Sequence, residues 1–216
     1  MWVTGVIGPL LPDGRDWLQS CISEQWIVYP PSEVATAGDC YIEPIPGSIF
    51  TMNNSLIIRA EPDVSTAEEY GIFTKVPQSG TIRIHVDLDL LDNAEIWVGV
   101  FSEPDIESEG ILMVVPYYEP VNPPGNDTKK RAFALRHMQM PLEDRIYLSK
   151  EFENPNGVYE VGFNLTSGTI AGFMENATTD DIPVSYIDRW LFIGYRALIR
   201  RSDIDVSFTD LEIIER

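Results

Sequence analysis

The stretch from Thr81 to Leu91 reads TIRIHVDLDLL. On an extended chain, Ile82, Ile84, Val86, Leu88 and Leu90 point one way, and Arg83, His85, Asp87 and Asp89 point the other. Alternation of this kind predicts a half-buried antiparallel strand. The same reading extends outward to Ser55–Ala60, Tyr70–Lys75, Ala94–Phe101 and Ile111–Tyr118. Further along it covers Arg131–Met138, Val158–Asn164, Thr169–Met174, Trp190–Ile199 and Asp205–Ile214. Turn clusters such as Pro77-Gln78-Ser79-Gly80, Asn122-Pro123-Pro124-Gly125 and Asn154-Pro155-Asn156-Gly157 separate the runs. The nearest approaches to a helix, Val64–Tyr70 and Pro141–Ile146, would give one or two turns. Strands without interleaved helices exclude a parallel βαβ architecture. An all-β, two-sheet antiparallel β-sandwich of jelly-roll type is expected.

The 216 residues are 44% hydrophobic, enough for one core without a metal or a dense disulfide set. A formal net charge of -19 argues against nucleic acid and anionic membrane surfaces as partners, because phosphate is bound mainly by cations. The charge is uneven. From His85 to Thr128 there are ten carboxylates and no Lys or Arg, while Lys129 to Arg216 carries 11 basic against 14 acidic residues. Such a run is a solvated face, a cation site or a surface for a basic protein partner. No apolar run approaches the ~20 residues of a membrane span, so no membrane insertion by this chain is expected.

Cys21 and Cys40 enclose turn-rich sequence and lack the four ligands of a structural zinc site. Two readings stand: a disulfide worth about 3 kcal/mol, or two buried thiols. The disulfide points to an extracellular or cell-surface location. The sequons at Asn53, Asn126, Asn164 and Asn176 agree with it but arise easily by chance. One sandwich domain over 26–216 is expected, with 1–25 as an N-terminal extension tied to it through Cys21.

The closing run Trp190-Leu191-Phe192-Ile193-Gly194-Tyr195-Arg196, followed by Asp205-Val206-Ser207-Phe208-Thr209-Asp210-Leu211-Glu212-Ile213, resembles the last strands of concanavalin-like, laminin-G-like sandwiches. Ala94-Glu95-Ile96-Trp97-Val98-Gly99-Val100-Phe101 fits an inner strand of that fold. Trp17–Ile22, Trp26–Pro30 and Gly38-Asp39-Cys40 are similar to extracellular sensor regions of bacterial membrane proteins such as Ser/Thr kinases. The resemblance implies a non-catalytic extracellular module, a sensor or adhesion domain, that binds a ligand, carbohydrate first.

Glu103-Pro104-Asp105-Ile106-Glu107 resembles the E-x-D-x-E signature of laminarinase- and lichenase-like glycoside hydrolases, which share this sandwich. On a strand, residues two apart share a face, so three carboxylates would enter one cleft. The resemblance implies Glu103 as nucleophile, Glu107 as acid/base and Asp105 between them, in a retaining mechanism. Against it, Pro104 cannot donate to a ladder, and Ser102 and Ser108-Glu109-Gly110 read as a surface loop. For ligand binding, Tyr117 and Tyr118, between Pro116 and Pro120, are the better candidate sugar-stacking rings; Trp97 is a further candidate, but its apolar strand neighbours also read as core. No cofactor is called for. Calcium is the one cation to consider, with Asp203 and Asp205 as candidate ligands beside Asp87/Asp89/Asp92, Asp105/Glu107/Glu109 and Asp180/Asp181. A structural role is expected for both His85 and His137. Nucleotide motifs and a G-x-S-x-G elbow are absent.

Overall fold

A computed structural model describes residues 26–30, 41–42, 48–52, 56–118, 131–138, 146–151, 157–198 and 200–215. Cys21, Cys40 and the N-terminal extension 1–25 lie outside them. Among the described residues the chain is all-β. The front sheet runs, in spatial order, β1 (Trp26–Tyr29), β6 (Glu68–Val76), β16 (Arg189–Ala197), β8 (Ala94–Phe101), β9 (Gly110–Tyr118), β10 (Arg131–His137) and β11 (Ile146–Glu151). The back sheet runs β14 (Ala177–Thr178), β13 (Thr169–Met174), β12 (Val158–Leu165), β7 (Gly80–Asp92), β18 (Asp203–Glu215), β4 (Leu56–Ala60), β3 (Ser48–Met52) and β2 (Tyr41–Ile42). There β15 (Ile182–Pro183) also pairs with β13, and β5 (Asp63–Val64) pairs with β17 (Arg200–Arg201) as a small ribbon. All pairs within both sheets are antiparallel, as the alternating runs predict.

The two sheets meet over one core. Ile72, Ile96, Val98, Val100, Ile111 and Ile193 face Leu56, Ile58, Ile84, Val86, Phe163 and Phe208, all at most 1% exposed. Burying each such side chain contributes about 1.5–3 kcal/mol before the entropy of ordering is subtracted. The front sheet is also covered over part of its outer side. Phe73, Trp97, Phe101, Leu112, Val114 and Phe192 form a second buried cluster there, joined by Ile106. This explains why β8 and residues 110–115 of β9 read as nearly continuous apolar runs, whereas Glu69 and Arg196 on the neighbouring strands keep the outer side partly open.

Two expectations change. Val64–Tyr70 forms no helical turn; β5 and the start of β6 occupy it, because Tyr70 and Ile72 are needed in the core. Leu90 is not inward. Asp205 pairs with Leu90 and Val206 with Leu88, so Asp89 is an extra residue, a β-bulge that turns Leu90 outward to 49% exposure. Leu91 packs against the core in its place.

Candidate functional site

Glu95 is the one charged side chain on β8, and it is 6% exposed. A carboxylate so placed needs partners. Trp97 Nε1 donates to its Oε2 at 3.1 Å, and Arg196 Nη1 lies 3.9 Å from the same oxygen. Strand register produces this meeting. Arg196 on the central strand β16 stands opposite Glu95 on one side and Glu69 of β6 on the other. Its Nε is 3.0 Å from Glu69 Oε1, and its guanidinium lies 5.6 Å from the centre of the Trp97 ring. The outcome is a row Glu69–Arg196–Glu95 across three adjacent strands, floored by Trp97.

The next row toward the sheet centre holds Gly71, Gly194 and Trp97. A Cβ on Gly194 would fall 2.1 Å from the Tyr70 carbonyl oxygen and 2.7 Å from the Phe192 ring, so only glycine fits. Burial pushes the Glu69 carboxyl above its ordinary pKa; Arg196 opposes this, and the charges of Glu107 and Glu95 add to it. Tyr29, at the β1 edge, has its hydroxyl raised by burial and then by Asp105, Glu69 and Glu107.

Those two loop carboxylates come from the segment 102–109, which joins β8 to β9. It is not a strand. Ser102 N donates to Glu109 O at 2.8 Å, Glu107 N to Asp105 Oδ1 at 3.0 Å, and Ser108 Oγ to Asp105 O at 2.7 Å, a turn organised by the Asp side chain. Ile106 plugs into the outer cluster at 3% exposure, while Glu103, Asp105 and Glu107 are exposed. The strand-borne set Glu103/Asp105/Glu107 that the E-x-D-x-E resemblance implied is therefore corrected, and the segment is the surface loop that its flanks suggest. Pro104 and the serines end the ladder, and the three carboxylates share no strand face. On β8 itself the i, i+2, i+4 positions of the outer face carry Glu95, Trp97 and Gly99.

Trp97 takes the core reading and is corrected as an exposed stacking ring: it is 3% exposed and covered by Arg196. Tyr117 and Tyr118 lie in β9 opposite Ala132 and Arg131; their side chains are outside the described residues. Asp205 and Asp203 each face an arginine: Arg59 Nε is 3.2 Å from Asp205, and Arg201 Nε is 3.5 Å from Asp203. Among the described residues no three His, Cys, Asp or Glu side chains gather to hold a metal ion. His85 lies 3.2 Å from Asp210 and 3.8 Å from Glu160 on the back sheet.

Glu69, Arg196, Glu95 and Tyr29 were not singled out by local motif, because they are neighbours only through strand pairing. One signal was present: a lone carboxylate inside an otherwise apolar strand, at position 95.

The architecture is that of the concanavalin-like jelly-roll sandwiches. No protein-family model matches the chain, and no curated protein does. Among solved structures it is similar to a glycoside hydrolase family protein from Mycobacterium thermorestibile, at TM-score 0.52 and 10% identity over 87% of this chain and 91% of that one. A beta-1,3-glucanase from Mycobacterium marinum aligns at TM-score 0.52 and 11% identity, over 90% and 92% of the two chains. A non-specific endo-beta-1,3(4)-glucanase from family GH16 aligns at TM-score 0.51 and 9% identity, over 86% and 84%. At such identities the likeness is one of fold.

Among the described residues no helix is long and apolar enough to cross a membrane.

Proposed function

We propose that the chain is a carbohydrate-active sandwich that hydrolyses a neutral β-glucan on the outer face of its front sheet. The observation that carries this is the Glu69 carboxyl, half-buried and raised by burial, set one arginine away from a second carboxylate, Glu95. Two carboxyl groups in contrasting environments are what glycosidic bond cleavage uses. Glu69 would give its proton to the leaving oxygen. Glu95, held by Trp97 and Arg196, would stabilise the positive charge that develops on the sugar ring or take the proton of the attacking water. Similarity to glucanases supports the reading in preference to a sensor.

The test is reducing-sugar release from laminarin and lichenan. Glu69→Gln and Glu95→Gln should each lower it by about 100-fold or more, and Glu103→Gln should leave it unchanged. No release across a broad β-glucan panel would overturn hydrolysis. A second reading, a non-catalytic carbohydrate-binding sensor or adhesion module, is favoured by one observation: β8 offers Glu95, Trp97 and Gly99 where three carboxylates would be wanted. Calorimetric binding without turnover, measured with and without Ca²⁺, would support it. The extracellular location and the Cys21–Cys40 disulfide belong to either reading. A protein partner for the acidic stretch would instead show binding that weakens at 0.5 M salt, because screening acts on exposed charges.

A further inference from the structure

The bulge at Asp89 places an apolar side chain where the alternation would put a polar one. Leu90, 49% exposed, stands in register with Asp205, which stands in register with Arg59, so that the row Leu90–Asp205–Arg59 crosses β7, β18 and β4 on the outer side of the back sheet. It lines a groove of about 580 Å³ together with Glu61, Asp203 and Ile204. That volume lies within the range of small-ligand sites, roughly 300–1,000 Å³.

The rim is built. Arg59 Nε meets both Asp205 oxygens at 3.2 and 3.3 Å, and Arg201 reaches Glu61 at 2.5 Å and Asp203 at 3.5 Å. The β5–β17 ribbon that carries Arg201 is pinned from below. Ser202, fully buried, donates its N–H to Pro62 O at 2.8 Å and its hydroxyl to Asn93 O at 2.7 Å. Asn93 Nδ2 donates to Arg201 O at 3.1 Å.

The chemistry selects a ligand class. Three carboxylates face two guanidinium groups, so an ionic ligand gains little net attraction. Each pair nevertheless offers acceptors beside donors, which suits vicinal hydroxyls, while Leu90 offers an apolar surface to C–H groups. A bulge that re-aims one side chain is a recurrent way to furnish a binding surface. We propose that this groove is a second saccharide site, for a neutral oligosaccharide, on the sheet opposite the Glu69–Arg196–Glu95 row and independent of hydrolysis there.

Amide chemical shifts of ¹⁵N-labelled protein titrated with laminarihexaose and with cellohexaose test it, because they report each sheet separately. Shifts are expected at Leu90, Arg59 and Ala60. Leu90→Asp should weaken the binding read at those amides by about tenfold or more. The surface double variant Arg59→Ala/Asp205→Ala should do the same, and covers the case in which Leu90→Asp perturbs folding. Glu69→Gln should leave these shifts in place. Shifts confined to the front sheet, or none, would overturn the site. So would full affinity in the double variant, or a concentration-dependent dimer that Leu90→Asp separates, since the groove would then receive a second copy of this chain.

Discussion

Arg189 is fully buried at the start of β16, and its guanidinium donates to backbone oxygens: Gln78 O at 2.6 Å and Thr166 O at 2.5 Å. It thereby ties the turn leaving β6 to the turn between β12 and β13, one from each sheet. Burial lowers its pKa, because desolvation penalises the cation. Arg189→Met keeps the bulk but removes both hydrogen bonds to these turn carbonyls, at a cost of roughly 1–3 kcal/mol. The urea midpoint should fall accordingly; an unchanged midpoint would show that the clamp is dispensable. Glu69 gives the second prediction at this scale. Its native pKa is raised, so the folded state holds the proton more tightly than the unfolded chain does. That contribution to stability is complete below the ordinary carboxyl value of 4.5 and is lost as pH rises through the raised value. Glu69→Gln should flatten the stability profile above pH about 4.5. Thermal melts of both proteins across that window read the difference, and parallel profiles would refute it.

Elements explain what the sequence made legible. The alternation in β7 correctly marks Ile82, Ile84, Val86 and Leu88 as core, because one face of the strand meets the other sheet. It fails at Leu90, since a bulge leaves no trace in a polar–apolar pattern. The acidic triplet 103–107 carried the right spacing for a strand and the wrong backbone, and Pro104 was the residue that told against it. No local pattern could have paired Glu69 with Arg196, 127 positions away (196 − 69) and adjacent only through β16. Besides its hydrogen bonds, the loop 102–109 has one apolar anchor, Ile106, which joins the cluster of Phe73, Phe101 and Phe192 at 3% exposure. Ile106→Ala should cost about 3 kcal/mol and make the loop the first site of limited proteolysis. A loss below about 1 kcal/mol would mean that the loop is held by its hydrogen-bonded turn instead.

At the scale of the molecule, the acidity does not form one face. Of the carboxylates between His85 and Thr128, Asp87 lies opposite Ser207 on the back sheet and Glu95 is buried in the front one. Glu109 accepts from Ser185 Oγ at 2.8 Å, and Asp105 organises its own turn. A net charge of -19 spread in this way acts as general self-repulsion. Raising NaCl from low to physiological ionic strength should therefore raise the melting temperature. A fall would show that exposed pairs such as Lys75–Asp188, at 2.8 Å, outweigh the repulsion.

The front sheet, covered on its inner side and over part of its outer side, has a kinetic counterpart. β16 and β8 are bonded to neighbours along both edges and packed above and below, so their amides should exchange with deuterium only when the whole domain opens. Edge strands such as β1 should exchange through smaller openings. Two members of the carboxylate row, Arg196 and Glu95, hang from the slowest-exchanging strands. Their spacing is thus set by the slowest-opening part of the fold, and no ligand would have to spend binding energy on assembling them.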